Sequence, residues 1–126
     1  MIILSKKHII SLHDSLIKQS GGLEGVRDDT LLDSALQTPF QTFAGEELYP
    51  TVPKKAACLC FGLVKNHAFH DGNKRIGILA MMTFMELNGM EIFCTNEELI
   101  EFGLGIASGK IGQEQILNWI IVHNNQ

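Results

Sequence analysis

The sequence predicts an all-α domain of about six helices, and three observations carry that expectation. Apolar residues recur at the i, i+3, i+4, i+7 spacing of a helix face in stretch after stretch. Side chains able to cap a helix stand where those stretches begin, at Ser5, Asp28, Thr51 and Thr95. Glycine, or proline, interrupts the pattern where they end. At 126 residues the chain fits one domain, residues 1–126, around one hydrophobic core. Hydrophobic residues at 45% and charged residues at 19% separate it from a wholly disordered chain.

In chain order, Ser5 opens a helix whose Ile9, Ile10, Leu12, His13, Leu16 and Ile17 form one stripe, and Gly21-Gly22 ends it. Asp28 caps a second helix with Leu31, Leu32, Ala35 and Leu36 on one face, stopped at Pro39. Gln37 to Val52 shows neither helix nor strand period, and loops of that length in compact domains are often lids or binding segments. Thr51 and Pro53 suit the start of a third helix, apolar over most of its circumference through Ala56, Ala57, Leu59, Cys60, Phe61, Leu63 and Val64. A fourth runs from Ile76 through Met85 to Leu87 and stops at Asn88-Gly89. A short extended piece is expected at Glu91 to Cys94. The capping box Thr95–Glu98 opens a helix to about Gly109, and a last helix from about Gly112 turns Ile116, Leu117, Ile120 and Ile121 inward.

Net charge −4 and a pI near 5.7 deny the surface the positive field that unspecific nucleic-acid binding relies on, so no direct nucleic-acid partner is expected. The longest apolar stretch, Ile76 to Met85, falls short of the ~18 residues of a membrane span, so no membrane partner is expected either. Three cysteines, Cys58, Cys60 and Cys94, give no disulfide framework, and no stretch reads as a signal peptide; a reducing cytoplasm is the expected compartment. Cys58 and Cys60 lack a second pair to complete a metal site and read as buried thiols.

Between the two most apolar helices stands His67-Ala68-Phe69-His70-Asp71-Gly72-Asn73-Lys74-Arg75. Glycine just before a helix lets the backbone approach a ligand while the first-turn N–H groups remain unpaired, and the helix dipole favours an anion there. Lys74 and Arg75 add two positive charges, so the guest this loop suits is a polyphosphate. Asp71 would repel it unless a cation intervened, and one carboxylate with phosphate oxygens and water is how Mg²⁺ is usually held. His67 is the candidate base for an incoming hydroxyl. Phe69 turns inward as the loop's anchor. Taken singly, a helix-end His is a cap, Asp-Gly-Asn a turn and Lys-Arg a solvated face; together, in one segment between buried helices, they point to a site.

The same nine residues resemble the signature of the Fic fold, in which His and Phe are followed by an acid, Gly or Ala, Asn, Gly or Lys, and Arg. Lys74 stands where AMP-transferring members usually have glycine, which makes the stretch resemble the death-on-curing (Doc) branch, the toxins of toxin–antitoxin pairs. "LHDSLI" (12–17), "GGLEGVRD" (21–28), "LLDSAL" (31–36), "LYPTVPKKAA" (48–57) and "LNG" (87–89) look Doc-like as well. The resemblance implies a Fic/Doc-type bundle with the active-site loop between two central helices. It also implies His67 as base, Asp71 on Mg²⁺, and Gly72, Asn73, Lys74 and Arg75 on the phosphates of ATP. It further implies transfer of phosphate to a threonine of elongation factor Tu, halting translation. An extra cation at Lys74 would move the site of greatest negative charge, which gives phosphate rather than AMP transfer a physical sense. Ile76 departs from the Thr that Doc-like sequences often carry, outside the catalytic positions.

By position, Gln37 to Val52 corresponds to the Fic flap, with Phe40, Phe43 and Tyr49 near the target contact by strand addition. Ser20 to Gly25 formally fits the family's self-inhibitory helix, but two internal glycines would weaken any helix there. Inhibition is therefore expected from a separate, Phd-like antitoxin whose C-terminal segment folds onto this domain. Three rivals stand beside the kinase reading: AMP transfer by the ordinary Fic route, a binding module for the antitoxin with catalysis lost, and a metal phosphohydrolase built on the pairs His13-Asp14 and His70-Asp71.

Overall fold

The computed structural model describes residues 1–124. Its helices are α1 (Lys6–Ser20), α2 (Asp29–Gln37), α3 (Val52–Asn66), α4 (Asn73–Leu87), α5 (Asn96–Ala107) and α6 (Gln113–Asn124). Four of them begin where the sequence places a cap. Ser5 Oγ accepts from the His8 amide at 3.2 Å, Asp28 Oδ1 from Leu31 at 3.0 Å, and Thr51 Oγ1 from Lys54 at 3.2 Å. At α5 the box closes in both directions, Glu98 N to Thr95 Oγ1 at 3.1 Å and Thr95 N to Glu98 Oε1 at 2.9 Å.

The long helices α3 and α4 form the centre; α2 and α6 pack on α3, α1 on α4, and α5 touches both. Their contact is close because Gly77 lacks a side chain: a Cβ there would lie 2.6 Å from Val64 Cγ2 and 3.1 Å from the Cys60 carbonyl oxygen. One continuous core draws Ile9 from α1, Leu32 from α2, Leu63 from α3, Phe84 from α4, Phe102 from α5 and Ile116 from α6. Each such side chain, fully buried, contributes about 1.5–3 kcal/mol. Cys58 and Cys60 lie inside this core, and burial pushes the Cys60 thiol up to about 12, so it stays protonated and inert. Among the described residues no helix is long and apolar enough to cross a membrane.

The structure differs from expectation in three places. Gln37–Val52 is not patternless: a 3-10 turn, Thr38–Phe40, leads into a hairpin of β1 (Thr42–Phe43) and β2 (Glu46–Glu47), pairing Thr42 with Glu47 and Phe43 with Glu46. Its turn needs positive φ at both central residues, which Ala44 (53°) and Gly45 (81°) supply. Glu91–Cys94 forms no strand: among the described residues one backbone bond, Phe93 N to His123 O at 2.7 Å, ties it to α6. Ile121 is 48% exposed, since the face of α6 that turns inward is centred on Ile116 and Ile120.

Candidate nucleotide and phosphotransfer site

The loop between α3 and α4 is shaped by two left-handed residues. His67 ends α3 with φ 51° and ψ 47°, and Gly72 opens α4 with φ 73° and ψ 22°. A neighbouring segment holds the loop along its length: Arg27 N and Asp28 N donate to the Ala68 carbonyl at 2.7 and 3.0 Å, and His70 N donates to Gly25 O at 3.1 Å. The Arg27 side chain caps the end of α3, donating from Nε to the His67 carbonyl at 2.8 Å and from Nη2 to Asn66 O at 3.3 Å. A cation is favourable against those terminal carbonyls.

Phe69 is fully buried, as an anchor must be. Its backbone N–H donates to Asn73 Oδ1 and its carbonyl accepts from Asn73 Nδ2, both at 3.0 Å. The Asn73 side-chain amide is thus committed to the loop, and its backbone N–H is what it offers a phosphate. His13 of α1 stacks on the Phe69 ring with centroids 3.8 Å apart and donates from Nε2 to the Asp71 carbonyl at 2.7 Å.

Above this base lies an open cleft of about 400 Å³ lined by Val64, His67, Asp71, Gly72, Asn73, Lys74, Arg75 and Ala107. The first intrahelical bond of α4 runs from Ile76 N to Gly72 O at 2.9 Å, so the amides of Asn73, Lys74 and Arg75 are the free first-turn donors of that helix. The Lys74 stem crosses Gly103 of α5, whose missing Cβ would stand 3.5 Å from Lys74 Cδ. Arg75 is braced at the rim, its Nη1 donating to Ser20 Oγ and, at 3.2 Å, to Gly21 O. The His67 side chain is exposed beside these groups, not locked in the core.

The Asp71 carboxylate accepts from Gly72 N at 2.9 Å and Leu23 N at 3.2 Å, with Arg75 Nη2 at 3.9 Å. The Gly72 and Leu23 amides, and after them Arg75 and His13, hold its carboxyl below the usual carboxylate range. It is an ionised, surface-facing oxygen donor at the foot of a cationic helix start. Among the described residues no three His, Cys, Asp or Glu side chains converge to hold a metal. A divalent cation at Asp71 would draw its remaining ligands from phosphate and water, which fits Mg²⁺ with a nucleotide. The same finding leaves the phosphohydrolase rival without a ligand set, and His13 is already committed to the loop.

The flap residues do not join the cleft. Phe40 packs edge-on against Phe84 of the core with centroids 6.2 Å apart, under the Lys55 ammonium at 5.7 Å. Lys55, itself buried, also reaches Glu47 Oε1 at 3.0 Å and the Tyr49 carbonyl, and so ties the hairpin to the N-terminal half of α3. That brace sits about 18 Å along α3 from His67. Tyr49 lines a separate groove with Leu48 and Gln113, and Phe43 is free, 75% exposed. Of the three flap residues, Phe40 is partly buried against the core, Tyr49 gives its carbonyl to Lys55 while its side chain lines the groove, and Phe43 is the most exposed.

Sequence reasoning missed Arg27, Ser20 and the loop-bearing role of His13. Arg27, just before the Asp28 cap, carried a signal in its position; the other two meet the loop only through the fold.

With this geometry in hand, comparison with known proteins gives two kinds of match. The family model described as the Fic/DOC family matches residues 3–85. Toxin Doc of Mycolicibacterium smegmatis is 44% identical over 72 residues, covering 57% of this chain and 55% of that protein. Protein kinase doc of Escherichia phage P1 is 28% identical over 113 residues, covering 90% of this chain and 88% of that protein. The chain thus spans little more than half the length of the first relative and most of the second.

Proposed function

Since the chain belongs to the Fic/DOC family, we propose that it is the toxin of a toxin–antitoxin pair and transfers phosphate from ATP to a protein hydroxyl. The observation that carries the proposal is the convergence of His67, Asp71, Lys74 and Arg75 on one cleft at the start of α4. The names borne by the two relatives, a toxin and a protein kinase, support the same reading.

In the proposed reaction the free amides of the first turn of α4, with Lys74 and Arg75, bind the phosphates of ATP. Asp71 holds Mg²⁺, which when bound neutralises charge on those phosphates. His67 takes the proton of the acceptor hydroxyl as its oxygen bonds to the γ-phosphorus; the bond from that phosphorus to the bridging oxygen breaks, and ADP leaves. The brace from Arg27 to the His67 carbonyl keeps the imidazole at the cleft mouth. The proposed acceptor is a Ser or Thr of a translation factor of the elongation factor Tu class, in the cytoplasm, and a Phd-like antitoxin restrains the activity.

Parallel incubation of the purified chain and elongation factor Tu with α- and γ-labelled ATP tests the proposal. Label from the γ position alone is expected. Label from the α position would replace it with AMP transfer, and no label from either would leave the antitoxin-binding module.

A further inference from the structure

His13 is a titratable, fully buried side chain that the proposed reaction does not use. It lies on the α1 stripe between Ile9 and Ile17, where an apolar residue would satisfy the packing. Two contacts reach from it to the loop. Its ring stacks on Phe69 at 3.8 Å with planes 14° apart, and its Nε2 donates to the Asp71 carbonyl at 2.7 Å. Nδ1 is buried without a hydrogen-bond partner among the described residues. The side chain thus carries a polar atom that is costly to bury unpartnered, while its single polar contact goes to Asp71.

The contact bears on a tight place. A Cβ on Gly72 would stand 3.5 Å from His13 Nε2 and 3.1 Å from Ile17 Cδ1, so the Asp71–Gly72 peptide rests directly on α1. From that peptide the Asp71 carboxylate rises to the Gly72 and Leu23 amides. Asn73 pins the loop one residue beyond, through the backbone of Phe69. His13 is the side chain that fixes the carbonyl of the acidic residue itself.

We propose that His13 is a positioning residue for the cation site: by holding the Asp71 carbonyl against α1 it sets the place of the Asp71 carboxylate relative to the start of α4. The inference rests on the reading of Asp71 as the Mg²⁺ ligand given above. Side chains that hold a metal-binding carboxylate in place from behind typically cost about 10–100-fold in metal affinity or activity when removed.

Two substitutions separate the contact from the packing. His13→Phe keeps a flat ring on Phe69 and loses the donor. His13→Gln keeps an N–H donor at nearly the Nε2 position and loses the ring. ATP affinity is measured by calorimetry for the purified full chain, with excess EDTA and over a series of Mg²⁺ concentrations. The wild type is expected to bind more tightly as Mg²⁺ rises. His13→Phe should need about 10-fold more Mg²⁺ for the same gain and match the wild type in EDTA, and His13→Gln should recover most of the Mg²⁺ response. Ile9→Val, on the same stripe, should lower the melting temperature and leave the response unchanged. A Mg²⁺-sensitive wild type with an unaltered His13→Phe, or no recovery in His13→Gln, would overturn this inference alone. A wild type that binds ATP indifferently to Mg²⁺ would overturn the reading of Asp71 and this inference with it.

Discussion

At the scale of single residues, the loop from His67 to Arg75 divides its labour between chemistry and construction. His67 is exposed at the end of α3, and its ring makes no contribution to the core. His67→Ala should lower transfer by about 10²–10⁴-fold, the usual weight of a general base, while the chemical denaturation midpoint stays near the wild-type value. Asn73 is the reverse case. Asn73→Ala removes both bonds to the Phe69 backbone and leaves a buried N–H and C=O unpaired, so a loss of about 2–3 kcal/mol is expected in urea denaturation. The identities of these residues were plain in the sequence, and so was the inward turn of Phe69. The use of the Asn73 amide was not, because Asn between Gly and Lys reads equally as a ligand or a loop lock until the backbone is folded around it.

Among the elements, the four capped helix starts were legible because a cap is a local bargain between one side chain and an amide two or three residues on. The hairpin was not legible: its strands have two residues each, Ala44-Gly45 is not a turn pair the eye is drawn to, and its brace is a buried lysine from the next helix. Lys55→Met should free the Tyr49 carbonyl and Glu47, and hydrogen exchange at the Leu48 amide, now bonded to Gln41 O at 3.1 Å, should quicken. At the α3–α4 crossing, alanine normally favours a helix over glycine by about 1 kcal/mol. Gly77→Ala should nonetheless destabilise by about 1–3 kcal/mol, because the new methyl meets Val64 and the Cys60 carbonyl. Between α5 and α6, Glu98 serves both its capping box and His123 Nε2 at 3.0 Å. The Thr95 amide and His123 hold its carboxyl below the usual range. Its contribution is therefore in place above the unfolded carboxylate value and fades as pH falls through the lower folded one. Melting curves of Glu98→Gln should lie below the wild type at neutral pH and converge with it in acid.

Taken as a whole molecule, the fold is a scaffold that packs two buried helices side by side, joins them by one short loop, and leaves that loop's outer side open. The helix count and the central place of α3 and α4 followed from apolar periodicity, which needs no knowledge of partners. The supports beneath and beside the loop came from α1 and from the segment preceding α2, about forty to sixty residues away in sequence, where no local pattern announces them. The flap could be aligned by position, but which of its side chains pack inward is set by the fold: Phe40 at its root packs against Phe84 of the core. The central claim is that a magnesium-bearing nucleotide tail seats on the first turn of α4. Backbone NMR of the chain titrated with ATP and Mg²⁺ tests it most directly. The amides of Gly72, Asn73, Lys74 and Arg75, with His67, should shift first and most, and a chain whose largest shifts fell elsewhere, or which showed none, would contradict it.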